Sequence, residues 1–138
     1  MKKNISIILP TYNECKNLPI LVEKLKKELN PINIDYELII IDDNSPDRTW
    51  EIAERLEKKS QRVKVIIRKN EKGLATAIRA GIEKSKHPLI CIMDTDLSHP
   101  PKDIIRMLNF FPDYDMVWAS RYVHGGKMKA LGKKRLQR

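Results

Sequence analysis

Residues 38–49 read LIIIDDNSPDRT, an apolar run that ends in two aspartates and a turn. The four apolar residues 38–41 are too few for a helix, and three of them are β-branched, which predicts a strand. Residues 44–47, Asn-Ser-Pro-Asp, have the composition of a turn. The next segment carries inward-facing apolar residues at helical spacing, namely Trp50, Ile52, Ala53 and Leu56.

The same unit of strand, turn and helix recurs along the chain. Residues 5–9, 63–67 and 89–93 predict three further strands, and residues 116–119 predict a fifth. A helical pattern separates each of the first four strands from the next, so we expect an α/β fold with a mostly parallel sheet and right-handed crossovers. The predicted inward faces of the other helices are Leu18, Leu21, Val22, Leu25 and Leu29, then Leu74, Ala77, Ile78 and Gly81, then Ile104, Ile105, Leu108 and Phe111.

Length and composition indicate one folded domain. The chain has 138 residues, of which 41% are hydrophobic and 33% charged, enough for one packed core. No apolar run approaches the ~20 residues that cross a bilayer, and no signal-peptide core follows Met1, so we expect the chain in the cytoplasm. Cys15 and Cys91 lack metal-ligand spacing and are expected to be reduced thiols.

The net charge of +9 is concentrated near the carboxyl terminus. Six of the 27 basic residues lie within residues 127–138, which contain no acid, and the other 21 are nearly balanced by 18 acidic residues. Such a basic tail either approaches anionic phosphates, as in peripheral contact with a membrane, or is a solvated chain end. Because it has no interleaved aromatic residues, we do not expect nucleic acid as a partner.

Carboxylates cluster where the predicted strands end. Asp42 and Asp43 follow one strand, Asp94 and Asp96 follow another, and open α/β sheets bind ligands at these ends. The chain lacks both glycine-rich motifs that cradle phosphates in dinucleotide and P-loop sites. A phosphate ligand beside these carboxylates requires a hard divalent cation, so the cluster predicts Mg²⁺ or Mn²⁺. Asp94 and Asp96 can converge on one ion in the turn while Thr95 faces away.

Three alternatives to a catalytic metal site remain. Carboxylates at strand ends also cap the helices that follow them. Residues 94–98, Asp-Thr-Asp-Leu-Ser, fit the nucleophile motif of haloacid-dehalogenase phosphatases, but the paired acidic motif that this class needs on a later strand does not occur. A module that binds a nucleotide sugar or nucleic acid without catalysis is the third alternative.

Five motifs in order make the chain resemble the inverting glycosyltransferases of family 2, and among them the dolichol-phosphate mannosyltransferases. The motifs are residues 8–14 (ILPTYNE), 41–49 (IDDNSPDRT), 71–74 (EKGL), 93–101 (MDTDLSHPP) and 120–126 (SRYVHGG). The resemblance covers nearly the whole chain. It implies the GT-A fold, a Rossmann-like three-layer α/β/α sandwich.

The resemblance also implies roles for individual residues. Asp94 and Asp96 would form an Asp-x-Asp (DXD) metal site for the donor's diphosphate, with Ser98 as a further ligand. Ser98 stands where close relatives carry Gln, so its shorter hydroxyl is expected to reach the metal directly or through water. Asp96, Arg121 and Arg135 would act in catalysis, the arginines by binding phosphate charge. The other implied donor-binding residues are Pro10, Tyr12, Glu14, Asp42, Asp43 and Lys72.

By this resemblance the chain is expected to be a dolichyl-phosphate mannosyltransferase-like hexosyltransferase. It would move a sugar from GDP-mannose, or alternatively UDP-glucose, to a polyprenyl phosphate at the cytoplasmic face of a membrane. The anionic acceptor makes a dedicated base optional. Residues 1–126 would form the donor-binding domain, and residues 127–138 would begin an incomplete acceptor-side region. The alternative is a catalytically incomplete module that binds a nucleotide sugar.

Overall fold

The structure is a computed structural model that describes residues 3–120, in which strands and helices alternate. The strands are β1 (Ile5–Thr11), β2 (Tyr36–Asp42), β3 (Val63–Ile67) and β4 (Leu89–Ile92). The helices are α1 (Asn17–Leu29), α2 (Thr49–Lys59), α3 (Leu74–Lys84) and α4 (Lys102–Leu108). The first four predicted strands are confirmed, with bounds that differ by at most two residues.

The four strands form one parallel sheet in the order β3-β2-β1-β4. The predicted parallel sheet is therefore confirmed. β2 and β3 are added on one side of β1, whereas β4 pairs with its other side. The strand order thus reverses at β1, and such a switch point is where open α/β sheets bind their ligands.

Helices cover both faces of the sheet. Successive side chains of a strand point to opposite faces, so Ile7 and Leu9 pack in the core with α1, α2 and α4, whereas Ile8 packs in the cluster with α3. All five predicted core residues of α1 are buried. The arrangement is a three-layer α/β/α sandwich, as the resemblance implied.

Helix α3 approaches the sheet closely at Gly81. A Cβ atom at this position would lie 2.7 Å from Ile8 Cγ2 and 2.8 Å from Ile41 Cδ1. Both isoleucines are fully buried, so neither methyl group can move aside without repacking. Gly81 therefore lets α3 lie against β1 and β2.

Three predictions about apolar residues are wrong. Phe111 was expected on the inward face of α4, but this helix ends at Leu108 and Phe111 lies in the turn that follows. Residues 116–119 form no strand, and Met116 and Trp118 are 75% and 82% exposed. A strand must pair its backbone groups with a neighbour, and within residues 3–120 no strand pairs with this segment. Leu74 was expected to face the core but is 58% exposed, because α3 begins there, beside the carboxyl ends of the strands.

Several predictions fall on residues 121–138, which lie outside the described residues. They include the roles of Arg121 and Arg135, the basic tail and the domain boundary after residue 126. Among the helices of residues 3–120, none is long and apolar enough to cross a membrane.

A buried ionic cluster lies near the amino ends of β1 and β2. Glu37 is 1% exposed, and its Oε1 accepts hydrogen bonds from Ser6 Oγ at 2.6 Å and from the Lys86 N–H at 2.8 Å. Its Oε2 lies 2.8 Å from Lys64 Nζ. Burial by itself raises the pKa of the Glu37 carboxyl, but the bonds from Lys64, Ser6 and Lys86 outweigh burial and lower it below its usual 4.5.

We expect Glu37→Gln to lower the free energy of unfolding by about 1–3 kcal/mol at pH 7, because the variant breaks this ion pair. The folded-state pKa is depressed, so the carboxylate's contribution is complete above the unfolded pKa and is lost as the pH falls through the folded one. Urea unfolding of both proteins should show the difference shrinking below about pH 4.

The matched control is Glu83→Gln, which breaks an exposed ion pair with Arg79. This change should alter stability by at most about 0.5 kcal/mol. A Glu37→Gln effect that stays constant down to low pH would contradict the role given to the carboxylate.

Candidate functional site

A cavity of about 340 Å³ lies at the carboxyl ends of the strands. Tyr12 and Leu74, which are 49% and 58% exposed, are two of the apolar residues in its lining. Such a wall suits a flat ring, since aromatic and aliphatic side chains pack on ring faces. Four predicted donor-binding residues lie together in the lining, namely Pro10, Tyr12, Asp43 and Lys72. The other lining residues are Thr11, Gly73, Leu74 and Ala77.

Asp43 is held by Arg68, to which the sequence pattern assigned no role. The buried guanidinium donates from Nε to Asp43 Oδ1 at 2.6 Å and from Nη2 to Oδ2 at 2.9 Å. This fork raises the pKa of Arg68, which stays charged. In the sequence, the one feature that could have indicated a role for Arg68 is its position directly after β3. The pair ties the ends of β2 and β3 together beside the cavity.

Asp42, the neighbour of Asp43, is fully buried at the end of β2. Its Oδ1 accepts hydrogen bonds from Thr11 Oγ1 at 2.8 Å and Ser45 Oγ at 2.7 Å, and its Oδ2 accepts one from the Ser45 N–H at 2.9 Å. Asp42 is absent from the residues that line the cavity. Its side chain thus joins β1, β2 and the following turn, and a contact with the donor stays a prediction.

Glu14 lies where the chain enters α1. Its N–H donates to Thr49 Oγ1 at 3.0 Å, and its carboxylate accepts a hydrogen bond from the Asn17 amide at 3.0 Å. The N–H of Asn13 donates to Ser45 Oγ, also at 3.0 Å. These bonds hold the segment after β1 against the segment after β2. A contact between Glu14 and the donor stays a prediction.

The turn after β4 carries Asp94 and Asp96. Thr95 between them is buried, and its Oγ1 donates to the Pro10 carbonyl at 3.3 Å, so the turn is tied to the end of β1. Asp96 Oδ1 accepts a hydrogen bond from the Ser98 N–H at 3.0 Å. Leu97, between Asp96 and Ser98, has a φ of 63°, a left-handed conformation that is uncommon for residues other than glycine.

The oxygen donors of this turn fit a hard divalent cation. Within residues 3–120 there is no group of three His, Cys, Asp or Glu side chains that could hold an ion alone. Mg²⁺, however, is commonly bound by one or two carboxylates together with substrate phosphates, and Asp94 and Asp96 supply two. Ser98 Oγ is buried and has no hydrogen-bond partner in the described part of the chain, so this oxygen can turn toward a ligand.

Comparison with known proteins identifies relatives along nearly the whole chain. The family model for glycosyl transferase family 2 matches residues 6–137. Dolichol-phosphate mannosyltransferases of Pyrococcus furiosus and Saccharomyces cerevisiae are 42% and 32% identical, each over 91% of this chain. An undecaprenyl-phosphate 4-deoxy-4-formamido-L-arabinose transferase of Yersinia enterocolitica is 35% identical over 86%. The chain spans only 35%, 47% and 37% of the lengths of these three proteins.

Solved structures share the fold. Residues 1–349 of TarS from S. aureus, in complex with UDP-GlcNAc, match 82% of this chain with a TM-score of 0.63 at 26% identity, over 31% of their own length. The mannosyltransferase PcManGT from Pyrobaculum calidifontis, in complex with GDP-Man and Mn²⁺, matches 73% of this chain and 30% of its own, with a TM-score of 0.56 at 22% identity. These likenesses confirm the GT-A fold that the sequence resemblance implied.

We expect Gly73→Ala to lower the free energy of unfolding by about 1–3 kcal/mol. Gly73 has φ 126° and ψ 147°, a conformation nearly restricted to glycine, although a Cβ would meet nothing closer than Thr76 Oγ1 at 3.8 Å. The cost is therefore backbone strain. Lys72→Ala, at the exposed neighbouring position, should change stability by less than about 0.5 kcal/mol. Urea unfolding midpoints that are equal for the two variants would contradict this account.

Proposed function

The chain belongs to glycosyl transferase family 2, and from this membership we propose that it transfers a hexose from a nucleoside diphosphate sugar to a polyprenyl phosphate, with inversion. The observation that carries the proposal is the hydrogen bond from Thr95 Oγ1 to the Pro10 carbonyl at 3.3 Å. Pro10 also lines the cavity, so the acidic turn adjoins it. A pocket for a nucleobase beside carboxylates for a metal-bound diphosphate is the arrangement that this reaction needs.

The cavity receives the nucleobase and ribose in this proposal. Tyr12 and Leu74 pack against the base, Asp43 accepts a hydrogen bond from it, and Lys72 offers a positive charge to the diphosphate. TarS, at 26% identity, was solved with UDP-GlcNAc, which supports a nucleotide sugar as the ligand. We favour GDP-mannose over UDP-glucose because relatives at 42% and 32% identity are dolichol-phosphate mannosyltransferases.

Asp94 and Asp96 hold Mg²⁺ or Mn²⁺ in this proposal, with Ser98 Oγ as a further oxygen, directly or through water. The ion, when bound, neutralises negative charge on the departing nucleoside diphosphate. Thr95 keeps the turn against β1, so the two carboxylates stay close to the cavity. Arg121 and Arg135, outside the described residues, add fixed positive charge for phosphate groups.

The acceptor contributes its own nucleophile. A phosphate oxygen of the lipid bonds to the anomeric carbon as the bond from that carbon to the nucleoside diphosphate breaks, and attack from the opposite face inverts the configuration. Because this oxygen is already anionic, no side chain has to remove a proton. The donor would bind within residues 1–126, and the basic residues 127–138 would begin the acceptor side at the cytoplasmic face of a membrane.

A module that holds the donor without transferring it is the second candidate. It is favoured by the cavity and the acidic turn, which by themselves account for holding a donor. The two candidates share the donor site and differ in the acceptor site. Binding and transfer must therefore be measured separately.

We expect the 138-residue chain to bind GDP-mannose or UDP-glucose by calorimetry only when Mg²⁺ or Mn²⁺ is present. Asp96→Asn keeps an oxygen for the Ser98 N–H but removes a negative charge, and should weaken metal-dependent binding by at least about 10-fold. The matched control is Asp103→Asn, in the first turn of α4, which should bind like the wild type. Binding that ignores both the metal and Asp96→Asn would overturn the metal site.

Transfer is tested with a radiolabelled donor and a polyprenyl phosphate in detergent. We expect label to move into the lipid fraction with Mn²⁺ present. The rate should fall at least about 10-fold in Asp96→Asn, because the positive charge that stabilises the departing diphosphate is held less tightly. A chain that binds the donor but moves no label would favour the binding module over the transferase.

A further inference from the structure

The guanidinium of Arg68 has an acceptor for every N–H it carries. Nε and one N–H of Nη2 point to Asp43, and the other N–H of Nη2 donates to the Gly73 carbonyl at 2.9 Å. Nη1 donates to Thr76 Oγ1 at 2.8 Å and to Glu71 Oε2 at 3.3 Å. Arginine has five N–H donors, so none is left for a ligand unless one of these bonds breaks.

Asp43, by contrast, keeps capacity for one more bond. Its Oδ2 accepts from Arg68 Nη2 and from the Gly73 N–H at 3.0 Å, whereas within residues 3–120 its Oδ1 accepts only from Arg68 Nε. A carboxylate oxygen has two lone pairs, so Oδ1 can accept one further hydrogen bond. Asp43 lines the cavity and Arg68 is absent from its lining. The pair therefore presents an acceptor, and not a donor, to a ligand in the cavity.

Thr76 closes a ring of hydrogen bonds around this pair. It accepts from Arg68 Nη1 and donates to the Gly73 carbonyl at 3.3 Å, and that carbonyl also accepts from Arg68 Nη2. Thr76 and Glu71 are both exposed, but the bond from Arg68 Nη1 to Glu71 Oε2 is the longer one, at 3.3 Å against 2.8 Å. Because Thr76 belongs to helix α3, it connects the guanidinium to a rigid element, whereas Glu71 lies in a loop.

We propose that Thr76 is a positioning residue for base selection: through Arg68 it orients Asp43 so that Oδ1 accepts a hydrogen bond from the ring N–H of uracil or guanine. This inference rests on the proposed function, because it concerns the base of the same donor. Cytosine and adenine present an unprotonated ring nitrogen at the corresponding position, and its lone pair repels the carboxylate. The pocket thus selects the base of the donor through one hydrogen-bond acceptor, Asp43 Oδ1, whose direction is fixed.

The test compares the affinities of different nucleotides with one another, and does not depend on the absolute value of any one of them. Calorimetry with Mg²⁺ measures dissociation constants of UDP, GDP, CDP and ADP for the wild-type chain, Thr76→Val and Thr76→Ser. Valine has the shape of threonine without the hydroxyl, and serine keeps the hydroxyl. We expect the wild type to prefer UDP or GDP over CDP and ADP by at least about 10-fold, the size of one hydrogen bond to a charged group.

Thr76→Val is expected to reduce the preference for UDP or GDP over CDP and ADP by about 3–10-fold, and Thr76→Ser is expected to retain that preference. A merely structural threonine would change the melting temperature, or all four affinities equally, and would leave the ratios intact. Unchanged ratios in Thr76→Val, or an equal loss in Thr76→Ser, overturn the inference while leaving the proposed function in place. A wild-type chain that binds none of the four nucleotides overturns both.

Discussion

The parallel pairing of β1 with β2 on one side and β4 on the other is the constraint on which the site depends. It brings the ends of β1 and β4 together, so that Pro10 and the turn at Thr95 meet through a hydrogen bond. Parallel strands put all their carboxyl ends at one edge, and the reversal of strand order leaves a crevice there. Pro10 in the lining of the cavity and Thr95 in the acidic turn are 85 residues apart in the chain, and this pairing makes them neighbours.

Two buried pairs of hydroxyl and carboxylate fix the register of β1 against β2. Ser6 lies opposite Glu37 near one end of the ladder, and Thr11 lies opposite Asp42 at the other. In each pair the hydroxyl donates to the carboxylate, at 2.6 Å and 2.8 Å. A slip of one residue would separate both pairs and take one hydrogen-bond donor away from each buried carboxylate. The alignment of the strand ends at the site therefore depends on polar contacts inside an otherwise apolar sheet.

Most of the fold could be predicted because the pattern that specifies it is local. Helix α1 buries the five residues that its spacing indicated, and β3 has the predicted bounds. Residues 116–119 were predicted wrongly since a strand also needs a neighbour, and neighbours are set by topology rather than by composition. Glu37 is the opposite case. It is a charged residue that lies buried in β2, because Ser6 and Lys64 pair with its carboxylate.

The sequence by itself determined which residues stand at strand ends and which carry oxygen donors, because both follow from spacing along one segment. Only the tertiary structure decided how those residues are used. Asp42 and Asp43 are adjacent, yet successive side chains of an extended chain point to opposite sides. Asp42 is therefore enclosed by Thr11 and Ser45, whereas Asp43 faces the cavity and is held by Arg68. Arg68 follows another strand, β3, and no spacing in the sequence specifies which strands become neighbours.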